Sequence, residues 1–331
     1  MAPSLPVDLL PQIIEYAIDD PSTQTNGDKE GYKIAALLSL CRVSRLFLSI
    51  AQPLLFYRII VETEAVGQKL AASDAFSKVG AVELVLEGAE ARPRRELSGE
   101  TAISLIKVTG TGRLKTLNLW DFGCLDAPVF ELAPNLTSLD LQGTQLSGGP
   151  LSKSWNAQLV HLGIRYGSTL DEPLLSPLLT STPTLTSLDL SGIGHQYLLN
   201  PDFVSFAAQI TSLTLSIRRQ YPTETFPFCS LSHLTFEYFT SAPVVIDILT
   251  CLSSEPPTLT HLKIPELACS ELATKIDLQE KWTTLLHSKA LAKLELITWG
   301  ADNIGDVYIR EVGDFLKAGR DVRVEWPGKL L

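Results

Sequence analysis

The chain has 331 residues, 45% of them hydrophobic, which is enough for a large core and about two domains. Its formal net charge of −10 disfavours nucleic acid as a partner, and no apolar run of about 18 residues predicts a membrane helix. Five scattered cysteines and an N-terminus without a basic start predict a reducing compartment, cytoplasmic or nuclear, and neither a disulfide framework nor a zinc site.

The N-terminal part of the chain predicts a small helical module. Asp8 can cap a first helix, in which Pro11 falls in the tolerated first turn. The polar residues 19–31 interrupt the apolar pattern and are expected to loop out. A second helix is predicted over residues 34–51, ending before Pro53. Such a unit exposes more apolar surface than it can bury alone, so it either caps the rest of the fold or also binds a partner.

A repeat of the form apolar-x-x-apolar-x-apolar organises the remainder of the chain. A weaker copy begins at Ala81, and a closing strand is predicted at Val322, Val324 and Trp326. The eight clear copies are spaced about 21 to 32 residues apart. They start at Leu114, Leu136, Leu159, Leu185, Ile210, Leu231, Leu259 and Leu291.

Each copy predicts a short strand whose fourth and sixth residues point inward and whose third, fifth and seventh residues point to the opposite face. Helices are predicted between strands, and Pro134, Pro183 and Pro257 mark where helices cannot continue. The helical spacing is seen at Leu174, Leu175, Leu178 and Leu179, at Val244, Val245, Ile248, Leu249 and Leu252, and at Trp282, Leu285 and Leu286. Alternating strands and helices at this period give parallel strands.

These copies resemble the leucine-rich-repeat family over residues 75–331. The resemblance implies an α/β solenoid of eight or nine irregular repeats, with parallel strands on the concave face and helices on the convex face. One position departs from the family, which usually has asparagine three residues past the sixth. Here that position holds Phe122, Thr144, Gly167, Ile193, Arg218, Phe239, Leu267 and Trp299. We therefore expect irregular loops rather than an evenly curved horseshoe.

The helical module resembles the F-box. Its first part reads Leu5-Pro6-Val7-Asp8-Leu9-Leu10 with Ile13, and its second reads Leu40-Cys41-Arg42-Val43-Ser44-Arg45 with Phe47, followed by Pro53-Leu54-Leu55-Phe56. The resemblance divides the chain into an F-box-like module at 1–60 and a solenoid at 61–331. It implies a substrate receptor of an SCF (Skp–cullin–F-box) ubiquitin ligase. The implied contacts with the Skp-type adaptor, and through it with a cullin, are Leu5, Pro6, Leu9, Leu10, Ile13, Leu40, Val43 and Phe47.

The outward strand positions predict where a protein substrate binds. Aromatic residues beside arginine are typical of binding hot spots. The candidates are Trp120, Arg165, Tyr166, His233, Glu237, Tyr238 and His261. An equally plausible reading is that Trp120 and Tyr238 are ordinary rim aromatics under loops. His161, His233 and His261 fall in one column, and without a further ligand at a fixed offset they favour partner contact over a metal site.

Three function classes remain open. A ligase adaptor is favoured by the two resemblances together. A scaffold without a ligase is the second, in which the helices only cap the solenoid. An enzyme is the third, because no GxSxG, HExxH or phosphate-binding loop occurs; a pocket of perturbed acids would revive it. We therefore expect no catalytic residue, cofactor or metal, and no nucleic-acid or membrane partner.

Overall fold

The computed structural model describes residues 29–88, 97–110, 112–126, 129–147, 158–170, 184–191, 207–217, 228, 230–237, 240–252, 258–300 and 322–325. The chain forms two compact units. The first consists of Met1–Asn118 with Leu132–Leu136, and the second of Leu119–Glu131 with Thr137–Leu331. The statements below concern the described residues.

The helices of the first unit begin with α1 (Lys29–Cys41) and α2 (Arg45–Leu55), which pack around Leu37 and Ala51. The single helix expected over 34–51 is wrong, because the chain breaks after Cys41 and restarts at a new cap. Ser44 has extended backbone, and its hydroxyl accepts a hydrogen bond from the Phe47 amide, which is how serine begins a helix. The rest of the unit contains α3 (Glu64–Ala71), α4 (Asp74–Val79) and α5 (Gly99–Gly110).

The expected end of the second helix before Pro53 is also wrong, since α2 continues through Leu55 with the proline inside it. Proline removes one backbone donor from a helix. Only two helical residues follow it here, so the ladder loses little. Residues 29–31, expected in a looped-out insertion, belong to α1; the remainder of that insertion, 19–28, lies outside the described residues.

The strands of the first unit are β1 (Arg58–Val61), β2 (Glu83–Glu87) and the start of β3 (Thr116–Asp126). β1 and β2 are parallel, with Arg58 opposite Glu83. β1 is a repeat copy that the sequence pattern had not separated from the helical module. The copy starts at Phe56, and the Tyr57 carbonyl accepts the amides of the next copy at Val82 and Glu83.

The strands of the second unit follow one another in chain order, as a solenoid requires. After β3 come β4 (Ser138–Ser147), β5 (His161–Arg165), β6 (Thr169–Leu170), β7 (Ser187–Ser191), β8 (Ser212–Ser216), β9 (His233–Phe236), β10 (His261–Pro265), β11 (Leu296–Gly300) and β12 (Arg323–Glu325). Each of the pairs from β4 onward is parallel, and β6 is a short side strand on β4. The chain therefore has the leucine-rich-repeat fold.

Burial follows the two-residue period of these strands. The fourth and sixth residues of the clear copies are at most 5% exposed from β3 to β10. They are Leu117 and Leu119, Leu139 and Leu141, Leu162 and Ile164, Leu188 and Leu190, Leu213 and Leu215, Leu234 and Phe236, and Leu262 and Ile264. The inward positions predicted from the sequence are confirmed for these seven copies.

The helices of this part of the chain are α6 (Val129–Leu132), α7 (Ala242–Cys251), α8 (Glu266–Thr274) and α9 (Ile276–Leu286), followed by a 3-10 turn at Lys289–Leu291. α7 and α9 confirm two of the three predicted helical segments and bury the apolar residues that defined them, except Leu252, which caps the end of α7 and is half-buried. The third, at Leu174 to Leu179, lies outside the described residues.

The frame predicted for the last clear copy, which starts at Leu291, is wrong by three residues. β11 begins at Leu296, and the register sets that residue opposite His261, the third position of its own copy. The copy therefore starts at Leu294, while Leu291 closes the 3-10 turn and is fully buried. Both frames satisfy the apolar pattern, so the sequence alone does not distinguish them.

Hydroxyl side chains make some of the backbone hydrogen bonds that the family's asparagine usually makes. Buried Thr144 accepts a hydrogen bond from the Phe122 amide at 3.3 Å and donates to the Leu119 carbonyl at 3.1 Å. The Thr144 amide in turn donates to Ser168 Oγ. Thr240 Oγ1 accepts from the Ile217 amide in the same way. At these three places a short polar side chain near the end of a strand thus satisfies a backbone donor of the preceding copy.

Candidate functional site

Three of the predicted adaptor contacts lie in the described part of the F-box-like motif, and they differ in exposure. Leu40 and Phe47 are partly buried against the Leu37–Ala51 cluster, whereas Val43 lies in the break between α1 and α2 and is 64% exposed. The other predicted adaptor contacts lie outside the described residues; they are Leu5, Pro6, Leu9, Leu10 and Ile13. Leu40 and Phe47 thus stabilise the helix pair, and Val43 is available at its surface.

The α1–α2 pair exposes a set of aliphatic side chains. Their exposed fractions run from 39% to 64%. The set, called here the exposed aliphatic set, consists of Ile34, Leu38, Val43, Leu46 and Leu48. Single exposed apolar residues are ordinary, but five within two short helices are typical of a surface that a partner covers.

In the second unit, three neighbouring strands bring two carboxylates to either side of a glycine. The register sets Asp140 of β4 opposite Gly163 of β5, and Gly163 opposite Asp189 of β7. A Cβ at position 163 would lie 2.7 Å from Asp140 Oδ1, so glycine leaves the space that this carboxylate occupies. Two residues further along β5, Arg165 lies on the same face. Its Nη2 is 3.2 Å from Asp140 Oδ2 and 2.8 Å from Asp189 Oδ2.

This ion-pair group leaves several polar atoms unsatisfied. Among the described residues, Asp140 Oδ1, Arg165 Nε and Ser191 Oγ are buried without a hydrogen-bond partner. Ser191 is two residues beyond Asp189 on β7, and its amide donates to Asp189 Oδ1 at 2.9 Å. Burial raises the pKa of Asp140 to about 6, against the opposing effect of Arg165, and the negative charges of Asp189 and Glu237 raise it further.

Tyr166 joins the end of β5 to the end of β9. The residue has φ of 45°, an uncommon conformation for a side chain of this size, and its amide donates to the Ser191 carbonyl at 2.8 Å. Its hydroxyl donates to Glu237 Oε2 at 3.3 Å. The predicted partner-binding residues Arg165, Tyr166 and Glu237 are thus brought together, in one group with Asp140 and Asp189.

The histidine column is divided into two parts. His161 Nδ1 lies 2.9 Å from Ser187 Oγ, and burial lowers its pKa, so the ring is neutral at pH 7. His233 and His261 stack on adjacent strands with ring centroids 4.3 Å apart and planes 11° apart. Burial and the neighbouring His261 ring lower the pKa of His233.

Hydrogen bonding fixes the tautomers of the stacked pair. Ser232 Oγ donates to the Thr211 carbonyl and lies 2.8 Å from His233 Nδ1. Thr260 Oγ1 donates to the Ser232 carbonyl and lies 2.8 Å from His261 Nδ1. Because a hydroxyl has one proton, each Nδ1 carries a proton and donates it to the neighbouring hydroxyl oxygen.

The remaining candidates do not join the group described above. Trp120 is half-buried on β3, and Tyr238 lies outside the described residues. No cluster of three or more His, Cys, Asp or Glu side chains within the described ranges could hold a metal ion. None of the helices that the structure describes combines the length and apolar character of a membrane span.

A pocket of acids with perturbed pKa values would favour an enzyme. The raised pKa of Asp140 provides one such acid. A general acid or base needs a free carboxyl beside a substrate position. Here Arg165 already pairs with Asp140 and Asp189, so neither carboxyl is free of a charged partner. The predicted strand alternation sets both aspartates at outward positions, but neither is among the predicted site residues. The signal was the fifth position, which both aspartates hold in the copies on either side of the one that carries Arg165.

Comparison with known proteins adds little. No protein-family model matches the sequence, and none of the curated proteins matches it either. A solved structure that is similar is the crystal structure of the TLR13–ssRNA13 complex, at 19% sequence identity with a TM-score of 0.38. The match covers 74% of this chain and 34% of that chain, so this chain spans about a third of the length of its structural neighbour.

Proposed function

We propose that this chain is a non-catalytic substrate receptor of an SCF-type ubiquitin ligase. In this proposal the α1–α2 pair and the residues before it bind a Skp-type adaptor, and the repeats bind the protein to be ubiquitinated. The observation that carries the proposal is the exposed aliphatic set, in the module whose sequence resembles the F-box.

The physical argument concerns how such helices are stabilised. Among the side chains that the structure describes in α1 and α2, Leu37 and Ala51 alone are fully buried, a small core for two helices. Burying an aliphatic side chain from water contributes about 1.5–3 kcal/mol when burial is complete. Five partly exposed aliphatic side chains therefore offer an adaptor a substantial apolar contact, of the kind in which helices dock into a groove.

The repeats support the second half of the proposal. Their outward face carries Arg165, Tyr166 and Glu237 on a rigid parallel sheet, and arginine and tyrosine are enriched among binding hot spots. A rigid sheet also limits the conformational entropy lost on binding.

A scaffold without a ligase is the alternative, and one observation favours it. Leu40 and Phe47 belong to the F-box-like motif but pack inward on the Leu37–Ala51 cluster. Packing alone can account for these two residues. Val43, in contrast, contributes its side chain to the surface and not to that cluster.

Co-purification of the full chain with a Skp-type adaptor distinguishes the two. The test variant is Val43→Asp, which places a charge on an exposed position of the motif. Its matched control is Val66→Asp on α3, where the valine is 52% exposed in the same unit. We expect the wild type and Val66→Asp to retain the adaptor and Val43→Asp to lose it. A folded wild type that retains no adaptor would favour the scaffold.

A further inference from the structure

We propose that Asp140, Asp189 and Glu237 form a subsite for a lysine or arginine side chain of the protein partner. The inference rests on the proposed function, because it names the chemistry of the segment that the repeats would bind. The three carboxylates, together with Arg165 and Ser191, are called the acid subsite below.

The first observation is the balance of charge. Two carboxylates pair with the Arg165 guanidinium, and the charge of a third, Glu237, also acts on Asp140. The four groups together carry a net charge of −2 when all are ionised. His161 beside it is neutral at pH 7 and adds no positive charge. One further cation would reduce the repulsion that Asp189 and Glu237 exert on Asp140.

The second observation is the set of unsatisfied atoms. Ser191 has no exposed surface, its Oγ has no partner among the described residues, and strand alternation directs it to the face that carries Asp189. Asp140 Oδ1 is likewise buried and unpartnered. Buried polar groups in native proteins are nearly always hydrogen-bonded, and both atoms are available to accept a hydrogen bond from a ligand. An ammonium or guanidinium group supplies several donors at once.

The third observation concerns the donor of the group. Arg165 Nε is buried without an acceptor in the described part of the chain. An extended peptide offers its backbone carbonyls at regular intervals, and one of them can accept this bond. A basic side chain of the same peptide then meets Asp140 and Ser191. A free cation would satisfy the carboxylates but not Arg165.

Access to the subsite is past two partly exposed side chains. The Arg165 side chain is one-third exposed, and Tyr166, whose hydroxyl reaches Glu237, is 44% exposed. Tyrosine beside the carboxylates also presents an aromatic face to an incoming guanidinium, a contact that arginine favours.

The test measures binding of a fluorescein-labelled peptide of alternating arginine and serine to the full chain, by fluorescence anisotropy. Asp140→Asn is the test variant, because it keeps the shape and removes the charge. Asp277→Asn is the matched control, since it removes the same charge from an exposed turn of α9 in the same unit. We expect the first to weaken binding at least about fivefold and the control to change it less than about twofold.

The pH dependence separates a specific subsite from general attraction to an acidic chain. Lowering the pH from about 7 to about 5 protonates Asp140, while exposed carboxylates with ordinary pKa values stay ionised. Binding by the wild type should weaken over this range, and binding by Asp140→Asn should change much less. His161 is a second titratable group beside the subsite, so His161→Asn is the control. This variant should keep the pH dependence of binding that the wild type shows.

Two results would overturn the inference. One is equal weakening by Asp140→Asn and Asp277→Asn, which would mean unspecific attraction. The other is binding of an alternating glutamate and serine peptide as tightly as the arginine peptide. If Asp140→Asn does not fold, Glu237→Gln at the end of β9 tests the same subsite, with the same two overturning results. Adaptor binding by the α1–α2 pair is scored separately, so failure of one proposal is distinguishable from failure of the other.

Discussion

The α1–α2 pair and the strands of the second unit are both rich in leucine, but the strands bury their inward leucines and the helix pair exposes several of its own. In β7, Leu188 and Leu190 are at most 5% exposed. In α1 and α2, Leu38 and Leu46 are 47% and 43% exposed. β7 has a parallel neighbour on either side, β5 and β8, and a covered inner face, whereas the two helices pack chiefly on each other. Hydrophobic composition therefore does not decide burial; the number of packed neighbours does.

The largest expected difference is in stability. Leu213→Ala in β8 removes a 1% exposed side chain and should lower the free energy of unfolding by about 2–5 kcal/mol. Leu38→Ala in α1 should change it by less than about 0.5 kcal/mol, because this side chain is already half in water. Urea denaturation followed by circular dichroism measures both. Equal losses would mean that the exposed aliphatic set is buried within the free chain.

The hydroxyl bonds between copies are expected to contribute less than the leucines. Thr144→Val keeps the shape of the side chain but leaves the Phe122 amide without its acceptor. Because an unsatisfied buried donor costs about 1–3 kcal/mol, we expect a loss within that range. Thr235→Val, on a half-buried threonine of β9, is the control and should cost under about 1 kcal/mol. A neutral Thr144→Val would remove the structural role given to this position.

The smallest expected effect is the pH dependence that Asp140 gives to stability. Its pKa is about 6 in the folded chain and in the ordinary range near 4 when unfolded, so the folded state binds the proton more tightly. Between about pH 4 and pH 6 the folded chain holds more protons, and this contribution to stability falls as the pH rises. A pKa difference of about two units sets an upper bound of roughly 2–3 kcal/mol, and solvent screening at the partly exposed Asp140 side chain reduces it. We therefore expect the stability of the wild type relative to Asp140→Asn to fall by roughly 1 kcal/mol from pH 4 to pH 7. Thermal unfolding of both proteins across this range measures it, and parallel curves would contradict the raised pKa.

Much of the fold could be predicted from the sequence, because a two-residue period and a recurring pattern report directly on strand burial. The last copy was misplaced since Leu291, Leu294 and Leu296 satisfy the pattern as well as Leu294, Ile297 and Trp299. Only pairing with β10 selects the second frame. β1 was missed because its residues follow directly on the F-box-like motif, and two interpretations competed for the same segment.

The candidate site was predicted less completely than the fold. The structure brings together Arg165, Tyr166 and Glu237, three of the predicted binding candidates, but nothing in the sequence indicates that Asp140 and Asp189 share Arg165 across a glycine. That arrangement depends on register between strands about 25 residues apart, which spacing alone does not fix. The helix break at Ser44 had a local signal, a serine three residues before Phe47, that the longer apolar stripe obscured.

The most direct test of the proposed receptor is hydrogen–deuterium exchange of the full chain with and without a purified Skp-type adaptor. The proposal predicts new protection in the peptides that cover α1 and α2, with the strands β4 to β9 unchanged. Protection confined to those strands, or none anywhere under conditions in which the chain is folded, would contradict it.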